Sequence, residues 1–217
     1  MPYAETLNHR STITSLMHPH NTEMDLSIGS ALYFASRGEG LATMNDVDIV
    51  EYTTTARVLL SGLGADELFG GYGRHLVAYE RRGFQGLLEE LELDVNRLGQ
   101  RNLGRDDRIL SHWGRETRFP FLDENLVNWA LSSPVWEKCG FGNQIDESKG
   151  QVGPDKQVLR LLAQRLNLPS VAREKKRAVC LFPLPVCFRQ LTATQIQFGA
   201  RTAKMETGKT RGTTLIS

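Results

Sequence analysis

In residues 58–72, Val-Leu-Leu-Ser-Gly-Leu-Gly-Ala-Asp-Glu-Leu-Phe-Gly-Gly-Tyr, three apolar residues run into Ser61-Gly62-Leu63-Gly64, and an acidic pair, Asp66-Glu67, follows. A buried strand that breaks into a glycine-rich turn and then opens a helix is a common way to hold a phosphate. Small residues let backbone N–H groups approach the anion, and the helix start adds partial positive charge. The acid just beyond suits a divalent cation that travels with that phosphate. The same residues also read as a plain strand-to-helix connection, with glycines required by sterics and acids that begin a helix. Taken alone, they carry both readings.

The other chemistry-bearing residues read as structural. Arg118 and Asp123 flank an aromatic-proline stretch, Phe119-Pro-Phe-Leu122, and read as a buried Arg–carboxylate pair in a core. Lys156 and Arg160 lie one helical turn apart, as on a solvated helix face. The run Arg173-Glu-Lys-Lys-Arg177 reads the same way, with the sharper alternative that one of its lysines reaches a phosphate. His9, His18, His20, His75 and His112 do not cluster at ligand spacing, so a metal–imidazole site is not expected. No Gly-x-Ser-x-Gly elbow appears.

Around these residues the elements are mostly helical. Residues 25–35 read as a buried helix rich in small side chains that stops near Arg37-Gly38, with Asp25 either its N-cap or a ligand-facing acid. Residues 1–24 show no clean period, although 18–22 reads as a turn. Val58–Leu60 is the most convincing strand. Phe84, Leu87, Leu88, Leu91, Val95 and Leu98 keep helical spacing up to a capping Gly99. Asp123 caps a short helix through Leu131, residues 140–154 read as a surface loop, and a further helix begins at Pro154-Asp-Lys-Gln157 and ends at Asn167-Leu-Pro169. Two prolines within the apolar run 179–188 break any helix or central strand there.

Composition sets the outer limits. With 26 basic and 25 acidic residues in 217, charge makes no case for nucleic acid or an anionic membrane surface. No apolar run approaches the roughly 20 residues needed to cross a bilayer. The start, Met-Pro-Tyr-Ala-Glu-Thr, has neither a basic n-region nor an apolar h-region. Three cysteines, Cys139, Cys180 and Cys187, fit a reducing compartment without a disulfide framework. The expectation is a soluble, cytoplasmic protein with neither nucleic-acid nor membrane partners.

Ser-Gly-x-Gly-Ala-Asp-Glu-x-Phe-Gly-Gly-Tyr at 61–72 resembles the second signature of the asparagine synthetase family. Downstream, Asp107-Arg108, seven residues, then Glu116-x-Arg118-x-Pro-Phe-Leu-Asp123 resembles the next family block. Lys156-x-x-Leu-Arg160 with Leu168-Pro169 resembles the block after it. Within the family, Ser-Gly-Leu-Gly, Asn102-Leu-Gly-Arg-Asp-Asp-Arg108 and Arg-Glu-Lys-Lys-Arg-Ala look most like a eukaryotic subgroup. The resemblance implies an ATP-dependent ligase that adenylates aspartate and passes glutamine-derived ammonia to the activated carboxylate. It implies ATP and Mg²⁺ as cofactors and aspartate as substrate. Ser61, Gly62 and Gly64 would touch the nucleotide, Asp66 would ligate Mg²⁺, and Lys175 or Lys176 would face the phosphates. Two lysines are named because aligning from either side of the block gives a different one.

Four departures accompany the resemblance. Leu63 stands where family enzymes usually carry a glutamate that serves the ammonia step, and a leucine accepts no proton. The family's pyrophosphate loop, Ser-Gly-Gly-x-Asp-Ser, would lie upstream of residue 1. Neither a glutaminase domain nor its N-terminal cysteine is read in these 217 residues, so release of ammonia from glutamine is not expected of them. Residues 179–196 separate blocks that look contiguous in relatives and read as an insertion, translated intron or alternative exon. The expected organisation is thus residues 1–178 as the C-terminal part of a synthetase domain, 179–196 as the insertion, and 197–217 as a terminal helix and disordered tail. The expected fold class is α/β: an incomplete adenine-nucleotide α-hydrolase-like (Rossmann-like) domain, mostly helical with little parallel sheet, weakly active or inactive. The alternative is a non-catalytic binding or regulatory module on the same nucleotide fold.

Overall fold

A computed structural model describes residues 3–44, 48–143, 151–174 and 215–216. The chain divides into two compact units, the first drawing on 1–59, 103–118 and 177–217, the second on 60–102 and 119–176. The described residues are mostly helical with two small two-stranded sheets, which agrees with an α/β class at that level.

In the first unit, α1 (Tyr3–Met17), α2 (Glu23–Arg37) and α5 (Gly104–Ser111) pack around Ile13, Met17, Leu26, Tyr33, Phe34 and Ile109. Gly29 lets the helices approach, since a Cβ there would sit 2.9 Å from Ile109 Cδ1. The start of α2 differs from the sequence expectation. Thr22 is the N-cap, its Oγ1 accepting from the Asp25 N–H at 3.1 Å, and Asp25 lies inside the first turn. The Asp25 carboxylate is held by the Thr22 hydroxyl at 2.5 Å and by the buried Arg105 guanidinium, which also reaches Asp106 at 2.8 Å. At the other end Gly38 takes φ 76°, the left-handed turn that closes α2 where glycine was expected to stop it. α1 is a helix where no period was expected, because its buried stripe is narrow (Ile13 and Met17) among Ser, Thr and Asn.

β1 (Glu39–Met44) and β2 (Asp48–Thr53) form an antiparallel hairpin that pairs Glu39 with Thr53 through Met44 with Asp48. Every residue of β2 is exposed. The larger of the two small sheets is thus this ribbon rather than a parallel remnant. β3 (Val58–Leu60) pairs with β4 (Glu116–Arg118), and the Glu116 N–H donates to Arg57 O at 2.8 Å. β3 is not buried as expected: Leu60 is 74 % exposed. Among the described residues β4 is its one sheet partner. Arg118 corrects another expectation. It is exposed and pairs with Glu116 at 2.7 Å, while Asp123 caps the helix that begins at Glu124 through its Oδ1.

In the second unit α3 (Ala65–Phe69), α4 (Gly73–Leu98), α6 (Glu124–Ser132), α7 (Val135–Lys138), α8 (Gln157–Arg165) and α9 (Pro169–Arg173) enclose two apolar clusters. One gathers Leu68, Phe69 and Ala130, with Val158 and Leu159 against it; the other gathers Leu87, Leu91, Val135, Cys139 and Phe141. Gly83, at φ 60° and ψ −152°, breaks the helical backbone inside α4, a conformation that only glycine adopts at no cost. α4 ends at Leu98 as expected, but Gly99 is right-handed and leads into a π-helical turn, Gly99–Leu103, instead of capping. The described ends of the 140–154 stretch are partly buried through Phe141 and Val152, because Phe141 fills the cluster beside Cys139. Among the described residues no helix is long and apolar enough to cross a membrane.

Candidate functional site

The Ser61–Gly64 turn is shaped by three local constraints. Ser61 Oγ accepts from the Leu63 N–H at 3.3 Å, folding the turn on itself. Gly64 sits at φ 99°, and a Cβ there would come 2.6 Å from Leu122 Cδ2, so no side chain fits. Gly62 is exposed, and a Cβ on it would meet nothing within 4 Å, which leaves the outer side of the turn open to an incoming group.

The two acids after the turn have separate tasks. Glu67 is 3 % exposed and accepts from the Gly64 N–H at 3.2 Å, the Tyr72 hydroxyl at 2.5 Å and Asn102 Nδ2 at 3.3 Å. It therefore ties the turn, the start of α4 and the π-helical turn together. Burial pushes the Tyr72 hydroxyl well above the ordinary tyrosine value, and the adjacent Glu67 charge pushes it the same way, so the hydroxyl stays a donor. Asp66 is partly exposed instead, and its Oδ1 pairs with Lys156 Nζ at 2.9 Å. Gly71 makes room for that carboxylate: a Cβ there would fall onto Asp66 Oδ1.

Lys156 stands immediately before α8, at φ 53° and ψ 36°, and its N–H donates to Phe69 O at 2.9 Å. That bond fixes the entry to α8 against the end of α3, which carries the lysine to Asp66. The pair corrects the solvated-face reading of Lys156 and Arg160. Arg160 is buried and donates to the carbonyls of Asp155, Ala172 and Glu174 while pairing with the Asp155 carboxylate at 2.7 Å. Sequence reasoning did not single out Lys156 as a candidate site residue because its partner is 90 positions away. The signal that could have found it was the block Lys156-x-x-Leu-Arg160 itself.

Ser61, Gly62, Gly64 and Asp66 thus lie together on one turn and the helix it opens, with Lys156 beside them. Lys175 and Lys176 lie outside the described residues, as do residues 179–196 and nearly all of the tail. Among the described residues, no group of three or more His, Cys, Asp or Glu could hold a metal ion by protein ligands alone. A single partly exposed carboxylate beside an open turn and an ammonium fits Mg²⁺ that arrives on phosphates, since Mg²⁺ keeps several waters and takes one or two carboxylates. Leu63 is half-buried and brings no carboxylate, and the nearest acids in the chain, Asp66 and Glu67, are both engaged. Behind the turn Cys139 donates to Phe69 O at 3.3 Å, and burial pushes its thiol up to about 12, which marks it as a packing residue.

The sequence model of the asparagine synthase family matches residues 49–88 and 81–196, more than half of the chain. Asparagine synthetase domain-containing protein 1 of Mus musculus is 42% identical over 197 residues, which cover 91% of this chain and 28% of that protein. An asparagine synthetase domain-containing protein of Saccharomyces cerevisiae is 37% identical over 219 residues, 100% of this chain and 35% of that protein. Asparagine synthetase [glutamine-hydrolyzing] 3 of Arabidopsis thaliana is 38% identical over 109 residues, 45% of this chain and 18% of that protein. The chain spans about a quarter to a third of the length of the first two relatives. With matching blocks in sequence and a family model covering most of its length, the chain belongs to the asparagine synthase family.

Proposed function

We propose that the turn at Ser61–Gly64, with Asp66 and Lys156, is the nucleotide side of an asparagine synthetase-like, ATP-dependent ligase site. The observation that carries the reading is the Asp66–Lys156 pair at 2.9 Å beside an open glycine turn, which gathers a metal-ligating carboxylate and a phosphate-binding ammonium at one place. In this reading the domain has the adenine-nucleotide α-hydrolase-like fold, and the substrates are ATP and aspartate. Ser61, Gly62 and Gly64 line the nucleotide, Asp66 holds Mg²⁺, and Lys156, with Lys175 or Lys176, neutralises phosphate charge. Mg²⁺ supplies Lewis-acid polarisation of the phosphate when bound. The chain's own residues orient the nucleotide on a turn that Glu67 and Tyr72 keep rigid.

The ammonia step is where the reading predicts weakness. A glutamate at position 63 would hold or deprotonate the incoming amine, and Leu63 can do neither. That favours a second reading, a non-catalytic binding or regulatory module on the nucleotide fold, which need not bind nucleotide. The test is titration of Mg·ATP into the chain by calorimetry, together with aspartate-dependent ATP–pyrophosphate exchange. Binding weakened about tenfold or more by Asp66→Ala is expected, with exchange near background. Exchange above background that Asp66→Ala abolishes would assign a working adenylation step. No Mg·ATP binding to the folded wild type would remove the nucleotide site and leave the module reading.

A further inference from the structure

We infer that the Asp66–Lys156 ion pair makes this site selective for a metal–polyphosphate chelate over a free divalent cation or a free polyphosphate. The inference rests on the nucleotide reading above and concerns what that site rejects.

The pair is a built feature. Among the described residues, Lys156 and Asn167 are the non-glycine residues at positive φ. Asparagine tolerates the left-handed region, whereas a long unbranched side chain is disfavoured there and glycine would hold the same backbone without strain. The Phe69 carbonyl nevertheless fixes Lys156 in that conformation through its N–H at 2.9 Å. A side chain kept against its backbone preference points to use of its terminal group. The opposite half is equally prepared, since only a residue without Cβ at 71 leaves space for the Asp66 carboxylate.

The electrostatic consequence follows from the distance. At 2.9 Å the two charges cancel at longer range, so neither a cation nor an anion is drawn in strongly. A free divalent cation that approaches Asp66 meets the Lys156 ammonium and must displace it. A free polyphosphate that approaches Lys156 meets the Asp66 carboxylate. Either ligand alone must break the pair and offers nothing of opposite sign to the member it does not bind. A chelate presents positive and negative charge together, so Asp66 exchanges ammonium for metal while Lys156 exchanges carboxylate for phosphate, and no charge is stranded. The side chains are 22 % and 24 % exposed, so the pair is reachable and can open without rearranging a core.

The test separates exclusion from binding in the full chain. Mn²⁺ alone is titrated by electron paramagnetic resonance, inorganic pyrophosphate alone by calorimetry, and Mg·ATP by calorimetry. Lys156→Gly keeps the left-handed backbone, and Lys156→Met keeps the length of the side chain; both should tighten Mn²⁺ about two- to fivefold, the worth of a partly exposed pair. The same variants should weaken Mg·ATP. Asp66→Asn should tighten metal-free pyrophosphate by a similar factor. Circular dichroism and the thermal midpoint establish folding, with Lys156→Gly expected at or above wild type because its backbone strain is relieved. Unchanged or weaker Mn²⁺ binding in both folded Lys156 variants would overturn the inference even if Mg·ATP binding falls. Failure of wild type to bind Mg·ATP, with Mn²⁺ still tightened by Lys156→Gly, would remove the nucleotide reading while cation exclusion by the pair stands. No Mn²⁺ binding by any folded variant would overturn the inference, and Mg·ATP binding by the wild type then decides the nucleotide reading separately.

Discussion

At the scale of the residue, neighbouring carboxylates of similar chemistry have been given opposite surroundings. Glu67 is buried and accepts three hydrogen bonds, each from an uncharged donor, so its removal strands the Gly64 N–H and the Asn102 amide. Asp66 has a half-screened lysine beside it. Glu67→Ala should therefore lower stability by about 2–4 kcal/mol, and Tyr72→Phe by about 1.5–3 kcal/mol, as for hydrogen bonds to a buried charged group. Asp66→Ala should cost about 1 kcal/mol or less, because a partly exposed pair contributes little. Urea denaturation midpoints check the ranking, and an Asp66→Ala loss equal to that of Glu67→Ala would contradict the division of labour. The sequence marked Asp66 as a candidate through its place after the glycine turn. It did not separate Asp66 from Glu67 in role, since that depends on Tyr72 folding back five positions and Asn102 arriving from 35 positions away.

At the scale of the element, α4 is tied across its own break. Asp94, 5 % exposed in the later half, accepts from His75 Nε2 at 2.8 Å and from Arg74 at 2.5 Å, both in the first turn. His75 Nδ1 accepts from the Tyr72 N–H at 3.2 Å, which leaves the Nε2 hydrogen for Asp94. Burial alone would raise the Asp94 carboxyl, but the hydrogen bonds from His75 and Arg74 and the arginine charge hold it below the ordinary 3.8. A depressed carboxylate contributes stability that is fully present above its unfolded value and is lost as pH falls through the folded one. The thermal midpoint should therefore drop as pH falls below about 4, and Asp94→Asn should be less stable at pH 7 and flatten that acid limb. An acid limb of unchanged slope in Asp94→Asn would refute the assignment. Sequence reading found α2, α4, α6 and α8 because each combines a broad apolar stripe with a cap or a proline. It missed α1, whose stripe is two buried residues wide, and it missed the hairpin, whose β2 buries no side chain and so leaves no alternation tied to a core.

At the scale of the whole molecule, the two units have separate apolar clusters, and the tryptophans divide between them: Trp113 against Tyr33 in the first, Trp129 and Trp136 in the second. Each core is small, and local opening is expected to differ between them. Urea unfolding followed by fluorescence should show different midpoints for Trp113→Phe and for the double variant Trp129→Phe, Trp136→Phe. Coincident curves would show one cooperative transition instead. The family was legible in sequence because its blocks are contiguous strings, whereas this division depends on which distant segments share a core.

The hairpin described for the first unit has a further consequence for molecules at high concentration. Leu41 and Ile49 are 73 % and 68 % exposed on a ribbon whose outer strand edges have no partner strand among the described residues. Such an edge is a template for stacking with a copy of itself. Its charged side chains, Glu39, Asp48 and Glu51, are all acidic. Ribbon therefore repels ribbon, and crowding is opposed by like charge in place of geometry, a defence that weakens as added salt shortens the reach of those charges.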